Sequence, residues 1–299
     1  MIHYSINDLE RYSGIKAHTI RIWEKRYRLF IPKRHSSNIR YYDNEQLRKL
    51  LNIATLINHG IKISKVSSLS EMEVNKHIKE FAAHPQSTEA QFEIYVNELL
   101  SAAIEFNKQA FDSMFNSCVV RFGFSQTIDR ILYPLLTRTG TLWCTADVHP
   151  AQEHFISNPT KQKLFSAIDG KSGGEKKANR KYLLFLPESE EHEIGLLYTY
   201  YLLLREGESA IYLGQRVPFE SLIDAVKTIK PTHVVFFSVT HQRLNELQKY
   251  LIKMSKSFPN QKIFVAGNMS QLNKLKSNKN VSVLRSKADI NLHLSSFSL

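Results

Sequence analysis

Cysteine is scarce in this chain of 299 residues, with Cys118 and Cys144 the whole supply. Two thiols cannot build a disulfide framework, and no Cys/His set has the spacing of a zinc site. A reducing, cytoplasmic setting is expected. Long apolar runs are missing too. The most apolar stretch, Leu196 to Leu204, is broken by Thr199 and flanked by Arg205 and Glu206. It is too short to cross a bilayer, so no membrane partner is expected. The opening Met-Ile-His-Tyr-Ser lacks the charged-then-apolar layout of a signal peptide. No internal repeat suggests a solenoid. Acids are in deficit, 28 Asp and Glu against 40 Lys and Arg, and the net charge is +12. That deficit is local. Residues 1–65 hold 13 bases and five acids (+8), whereas the other 234 residues hold 27 and 23 (+4). A basic concentration of this kind reads as a footprint for a polyanion. A hydrophobic fraction of 42% and a charged fraction of 23% exclude wholesale disorder.

Three textures follow one another, and the fold class they predict is multidomain α and α/β. Residues 1–75 are basic, with short helical patterns. Residues 86–172 have helical periodicity, with Phe92, Tyr95, Val96, Leu99, Leu100, Ala103 and Ile104 at three-and-four spacing, the signature of a helical bundle. His84 to Ser87 makes a plausible boundary before them, and the polar stretch from Lys171 to Arg180 a linker after them. In residues 180–299 the period changes. Short buried-strand runs at Tyr182–Leu186, Ala210–Leu213, His233–Phe237, Ile263–Ala266 and Val281–Leu284 alternate with helical stretches starting near Ile194, Pro218, His241, Ser270 and Ala288. Five such units predict a five-stranded parallel sheet of the flavodoxin or Rossmann kind. Sheets of this type bind ligands at the carboxyl ends of their strands.

In the basic segment, Ser5 is an N-cap with Asp8 as its capping-box acid. A helix of about two turns then reaches Gly14. A second helix from about Lys16 to Tyr27 puts Ile20, Trp23 and Tyr27 on one face and Arg21, Lys25 and Arg28 largely on another. Short helix, glycine turn and basic helix form the helix-turn-helix layout, whose second helix enters a major groove. Arg34 to Tyr42 can form a hairpin wing that reaches phosphates. Asp43 caps a further helix from about Asn44 to Asn58, with Leu47, Leu50, Leu51, Ala54 and Leu56 as its apolar set. The text Tyr4-Ser5-Ile6, Ser13-Gly14-Ile15, Thr19 through Tyr27, Arg40-Tyr41-Tyr42-Asp43 and Gly60-Ile61-Lys62-Ile63 resembles the MerR family of winged helix-turn-helix regulators. The resemblance covers residues 2 to about 72. It implies contact with a double-stranded DNA operator by His18, Thr19, Arg21 and Arg26, with Arg34, Arg40 and Tyr41 on the wing. Trp23 and Tyr27 are expected in the core instead. No coiled-coil heptads follow residue 72, and the cysteines of a metal-sensing member are missing.

The loop Glu188-Ser189-Glu190-Glu191-His192-Glu193-Ile194-Gly195 joins the first strand of the sheet to its helix. It resembles the Asp-x-His-x-x-Gly signature of cobalamin-binding domains, with Glu190 in place of the Asp. The resemblance implies that His192 ligates cobalt from below, that Glu190 orients the other ring nitrogen, and that Gly195 lets the backbone approach the ligand's nucleotide tail. A serine motif after the third strand is matched by Ser238-Val239-Thr240, and half of a Gly-Gly pair after the fourth by Gly267-Asn268. In the middle segment, Trp143, nine residues, then Glu153-His154 resembles the bundle that caps the upper face of adenosylcobalamin in CarH/LitR-type photoreceptors. In the light-sensing members a His often follows the Trp; here Cys144 does.

The resemblance implies a cytoplasmic repressor that binds adenosylcobalamin and forms a homo-oligomer, dimer or tetramer, whose assembly and DNA binding respond to light. A second reading keeps the folds but not the cofactor. Glu190, Thr240 and Asn268 would then mark a degenerate pocket, and the C-terminal half would bind a protein partner or dimerise. A third, a cobalamin-dependent mutase or methyltransferase subunit, is disfavoured because no substrate domain remains and the DNA reader would be idle. No enzyme activity is expected.

Overall fold

A computed structural model describes residues 3–34, 40–83, 88–143, 150–171, 180–239, 244–267, 272–276 and 279–284. The chain divides into two compact units, Met1–Asn158 and Pro159–Leu299.

The first unit opens with α1 (Ile6–Ser13) and α2 (Ala17–Tyr27). Both halves of the expected capping box form at α1: Asp8 N–H donates to Ser5 Oγ, and Ser5 N–H to the Asp8 carboxylate. Gly14 ends the helix at φ +72°, a region open to glycine at no steric cost. α2 lacks a cap of its own at Lys16. Glu10, on α1, supplies one by accepting from the Ala17 N–H at 2.9 Å. A two-stranded antiparallel hairpin, β1 (Lys33–Arg34) and β2 (Arg40–Tyr41), forms the wing. Asp43 and Gln46 make a second capping box at the start of α3 (Asn44–Asn58). Leu47, Leu50, Leu51, Ile53, Ala54 and Leu56 on α3 are at most 2% exposed and form the centre of this part. Each of the Leu and Ile side chains contributes about 1.5–3 kcal/mol by leaving water.

α4 (Ile63–Val66) and α5 (Glu71–Ala83) lead into α6 (Thr88–Ile104), α7 (Lys108–Phe122) and α8 (Phe124–Thr127). All seven apolar residues expected to line α6 are buried. Residues Ile128–Leu132 then form a π-helical turn before α9 (Tyr133–Trp143). Pro134 has no N–H to offer a carbonyl four residues back, so a widened ladder just before it is physically reasonable. Helical periodicity gives no sign of that widening. α10 (Pro150–Asp169) contains Pro159, and the division between the two units falls between Asn158 and Pro159.

The second unit carries a five-stranded, all-parallel sheet: β3 (Lys181–Pro187), β4 (Ser209–Val217), β5 (His233–Ser238), β6 (Lys262–Gly267) and β7 (Val281–Val283). The spatial order is β4-β3-β5-β6-β7, the flavodoxin-like 2-1-3-4-5 order with its switch point between the first and third strands. Alternate strand residues face opposite sides. Leu183, Phe185, Val234, Phe236, Ile263 and Val265 pack with α12 (Phe219–Ile229) and α13 (Leu244–Ser257). Tyr182, Leu184, Leu186, Val235, Phe237 and Phe264 pack with α11 (Ile194–Arg205). β4 runs four residues past its expected end. It is an edge strand with register shifts against β3, with Gly214 and Arg216 at positive φ. Bulged edges of this kind leave no apolar run to read. The helix expected near Ala288 lies outside the described residues, as do the first residues of the one expected near Ser270.

Candidate functional site

On α2, Ile20 (0% exposed) and Trp23 (7%) face the core, and Tyr27 is half-buried. The opposite face presents His18, Arg21, Lys25 and Arg26, all exposed, with Thr19 half-buried beside them. Arg21, Lys25, Arg26 and Arg28 form no ion pair among the described residues. Glu24, the acid of the helix, is engaged by the Tyr42 hydroxyl. Arg34 and Arg40 are register partners across the wing and both are exposed. Tyr41 is half-buried, its ring centroid 4.0 Å from that of His3. The wing is fixed to α3 by Lys33 on Asp43 at 3.1 Å and Gln46 Nε2 on the Ile31 carbonyl at 2.6 Å. Asp43 feels burial, which raises its pKa, but hydrogen bonds from the Gln46 N–H and Lys33 outweigh it and hold the carboxyl below the usual range.

Two buried polar seams join this reader to the helices behind it. Gln152 on α10 donates from Nε2 to Tyr4 Oη at 3.2 Å, and Tyr4 Oη donates to Asn44 Oδ1 at 3.0 Å. The Tyr4 backbone forms a two-way bridge with Tyr42 at the base of the wing. In the second seam, Asn97 on α6 donates to Thr55 on α3 at 3.0 Å, and Arg138 on α9 donates to Asn97 Oδ1 at 2.9 Å. Both are invisible in the sequence because their partners lie 148, 42 and 41 positions apart. Next to Gln152, the Glu153 carboxylate and His154 Nδ1 are 3.0 Å apart, with Glu153 mostly buried and His154 exposed. Trp143 is the last residue of α9, and its side chain, like the whole of Cys144, lies outside the described residues.

At the carboxyl edge of the sheet the loop residues come together. A turn closed by Glu190 N–H on the Pro187 carbonyl brings Glu190 back over the sheet. Its carboxylate is fully buried, and Oε1 lies 2.7 Å from His192 Nδ1. The same oxygen accepts the Glu191 and His192 N–H groups at 3.0 Å, and Oε2 accepts the Val239 N–H at 2.7 Å. Val239 follows β5, so Glu190 ties the loops after β3 and β5 together at the switch point of the sheet. A carboxylate on Nδ1 fixes the tautomer that carries its lone pair on Nε2, the form in which imidazole ligates a metal. The His192 side chain is 40% exposed.

Gly195 opens α11 against β5. A Cβ there would come within 2.5 Å of the Phe237 ring, so its smallness is required within the chain itself. Gly267 sits at φ +138°, and a Cβ on it would lie 1.9 Å from the Ser238 carbonyl oxygen. Ser238 itself is 3% exposed, and its Oγ has no hydrogen-bond partner among the described residues. An unpaired buried hydroxyl costs free energy unless something pairs with it. Thr240 and Asn268 lie outside the described residues. Glu190, His192, Gly195, Ser238 and Gly267 thus converge in the second unit, whereas Glu153 and His154 belong to the first. Sequence reasoning named Val239 only as the middle of the Ser238-Val239-Thr240 motif and missed the role of its backbone N–H, and it missed Lys161, which reaches Glu193 at 3.4 Å. Among the described residues no group of three or more His, Cys, Asp or Glu could hold a metal ion, and no helix is long and apolar enough to cross a membrane. The buried Cys118 thiol is pushed up to about 12, chiefly by burial.

A family model described as MerR HTH family regulatory protein matches residues 4–73, and one described as B12 binding domain matches residues 95–165. The HTH-type transcriptional repressor CarH of Myxococcus xanthus is 27% identical over 258 residues, 86% of this chain and 85% of that protein. The HTH-type transcriptional repressor CarA of the same organism is 26% identical over 243 residues, 81% and 78%. Among solved structures, the monomethylamine corrinoid protein of Methanosarcina barkeri aligns with 67% of this chain and 96% of its own. Its TM-score is 0.51 at 14% identity, a likeness of fold.

Proposed function

Since the chain belongs to the MerR helix-turn-helix regulators that also carry a B12-binding domain, we propose that it is a cytoplasmic transcriptional repressor controlled by adenosylcobalamin and light. Residues 1–75 bind a double-stranded operator through His18, Thr19, Arg21, Arg26, Arg34, Arg40 and Tyr41. Residues 180–299 would hold the cofactor, with His192 as cobalt ligand, Glu190 as the carboxylate that orients it, and Gly195, Ser238, Thr240 and Gly267 as further binding positions. Trp143, Glu153 and His154 of residues 86–172 would be further cofactor-binding positions. The protein acts as a regulator, not an enzyme, and works as a dimer or tetramer.

The observation that carries this reading is the Glu190 clamp: a buried carboxylate that accepts two backbone N–H groups of its own loop and one from the next, while holding His192 by Nδ1. Replacing Asp by Glu lengthens the arm by one methylene and still orients the ring. The Ser238 hydroxyl, without a hydrogen-bond partner among the described residues, supports the fit, since a ligand nitrogen or oxygen in the crevice would satisfy it. Adenosylcobalamin would supply a cobalt–carbon bond that light breaks. The chain's own share is mechanical. Gln152 precedes the Glu153-His154 pair and donates to Tyr4, so movement of the first turn of α10 either drags Tyr4, and with it Tyr42 and the wing, or breaks a buried hydrogen bond. Coupling DNA affinity to assembly then follows from multivalency.

The test is gel filtration with full-spectrum absorbance after incubation with adenosylcobalamin in darkness, repeated after green light. Cobalamin absorbance should co-elute with a larger species in the dark, and the size should fall on illumination. Identical elution with and without adenosylcobalamin, and no bound absorbance, would overturn the sensor reading.

A further inference from the structure

Ile22 lies on the face of α2 that the core does not use. It is 52% exposed, and at about 100° per residue it stands roughly 200° round the helix from the fully buried Ile20. His18, one turn before it, and Lys25, one turn after, flank it within about 60°. Arg21 and Arg26 border the same strip, and all four neighbours are exposed. Single exposed aliphatics are common on protein surfaces, so exposure alone carries nothing. The setting does. A large β-branched side chain sits at the centre of a face whose rim is cationic and, at Arg21, Lys25 and Arg26, free of ion pairs among the described residues.

Charge complementarity selects the occupant. Cations on both borders of a helix face match the two phosphate rows that line a major groove. Seating the rim on those rows brings the middle of the face to the base edges. An aliphatic group there offers no hydrogen bond, and it leaves the polar edge of a guanine, cytosine or adenine unsatisfied. The apolar group on a base edge in that groove is the 5-methyl of thymine. We propose that Ile22 is a specificity-determining residue that reads a thymine methyl in the operator. The inference rests on the DNA-reading role proposed above and adds to it the base that α2 selects.

The test starts with selection from a randomised duplex library by the full-length chain, in the dark with adenosylcobalamin. The enriched duplex is then remade with each thymine replaced in turn by deoxyuridine, which deletes the methyl and nothing else. Affinities are measured by fluorescence anisotropy at one salt concentration for wild type, Ile22→Val and Ile22→Ala. At one or more positions uracil should weaken wild-type binding by about three- to five-fold, the worth of one buried methyl. Ile22→Ala should be indifferent to that swap, and Ile22→Val should fall between. Uracil swaps that are neutral everywhere, or that cost Ile22→Ala as much as wild type, would overturn the assignment while leaving DNA binding intact. No enriched sequence and no binding even at low salt would instead overturn the DNA reading on which it stands.

Discussion

On the outward face of α2, Arg21, Lys25 and Arg26 form no ion pair among the described residues, whereas at the sheet edge the acids Glu190, Glu191 and Glu193 are engaged within the chain. Glu190 holds His192 and three backbone N–H groups, Glu191 pairs with Arg216, and Glu193 takes both Lys161 at 3.4 Å and the Tyr212 hydroxyl at 2.8 Å. The difference teaches how to tell two kinds of polar surface apart. A surface meant for a polyanion must leave its cations unneutralised, because counterion release from the partner drives association. A surface meant to position one imidazole needs its charges locked by partners, so that the ring has one orientation.

The largest expected effect breaks the locked side. Glu190→Gln replaces the carboxylate by an amide, which serves poorly as acceptor for the two loop N–H groups and for His192 Nδ1 together. Losing a carboxylate that orients a metal-ligating histidine costs about 10–100-fold in affinity, and adenosylcobalamin titration followed by absorbance should show it. His192→Ala should go further, leaving any bound cobalamin without its lower protein ligand. Retention of wild-type affinity and spectrum by both variants would mean that the clamp is structural. Next in size is Tyr4→Phe, which removes the hydroxyl shared by Gln152 and Asn44. Stranding the buried Gln152 amide and the half-buried Asn44 oxygen should cost about 1–3 kcal/mol, read from urea unfolding. It should also reduce the difference in DNA affinity between dark and illuminated protein. Lost stability with that difference unchanged would confine the seam to packing.

On the open side, Arg21→Ala and Arg40→Ala should each weaken operator binding and flatten its log–log salt dependence by about 0.9. The slope matters more than the affinity, because losing a base contact alone leaves it unchanged. Parallel salt plots for both variants would remove these residues from the phosphate-binding set.

Much of the first unit and of the sheet was legible in the sequence because local rules decide them. Ser5 with Asp8 and Asp43 with Gln46 are capping boxes complete within four residues, and the buried strands β3, β5 and β6 announce themselves as short continuous apolar runs. The loop residues Glu190 and His192 were legible through their resemblance to a known loop signature, and the turn after β3 brings them within 2.7 Å. What the sequence could not supply were partners brought together by the fold, such as Val239 N–H on Glu190 or Tyr4 on Gln152. A backbone donor has no residue identity to notice, and a contact across 148 positions has no periodicity. The extra length of β4 escaped for the same reason, as bulged edge strands are set by their neighbour and not by their own pattern.

The smallest predicted effect concerns Glu10, an acid next to the open face whose charge is nonetheless engaged. Its carboxyl caps the start of α2 by accepting the Ala17 N–H and meets Lys16 Nζ at 3.0 Å. That backbone hydrogen bond, and then the lysine, hold its pKa below the ordinary 4.5. A carboxyl whose pKa is lowered by folding stabilises the native state above its unfolded value and ceases to do so as pH falls through the folded one. Glu10→Gln keeps an oxygen for the Ala17 N–H but cannot titrate. Thermal unfolding midpoints of wild type and variant should therefore differ by a constant amount above about pH 4.5, with wild type higher, and converge below it. Because Glu10 is only half-buried and its lysine partner is exposed, salt should shrink the gap in the upper range as well. Curves that run parallel down to pH 3 would show that the cap acts by geometry alone. α2 would then owe its orientation to the buried Ile20 and Trp23 and not to the charge beside its first turn.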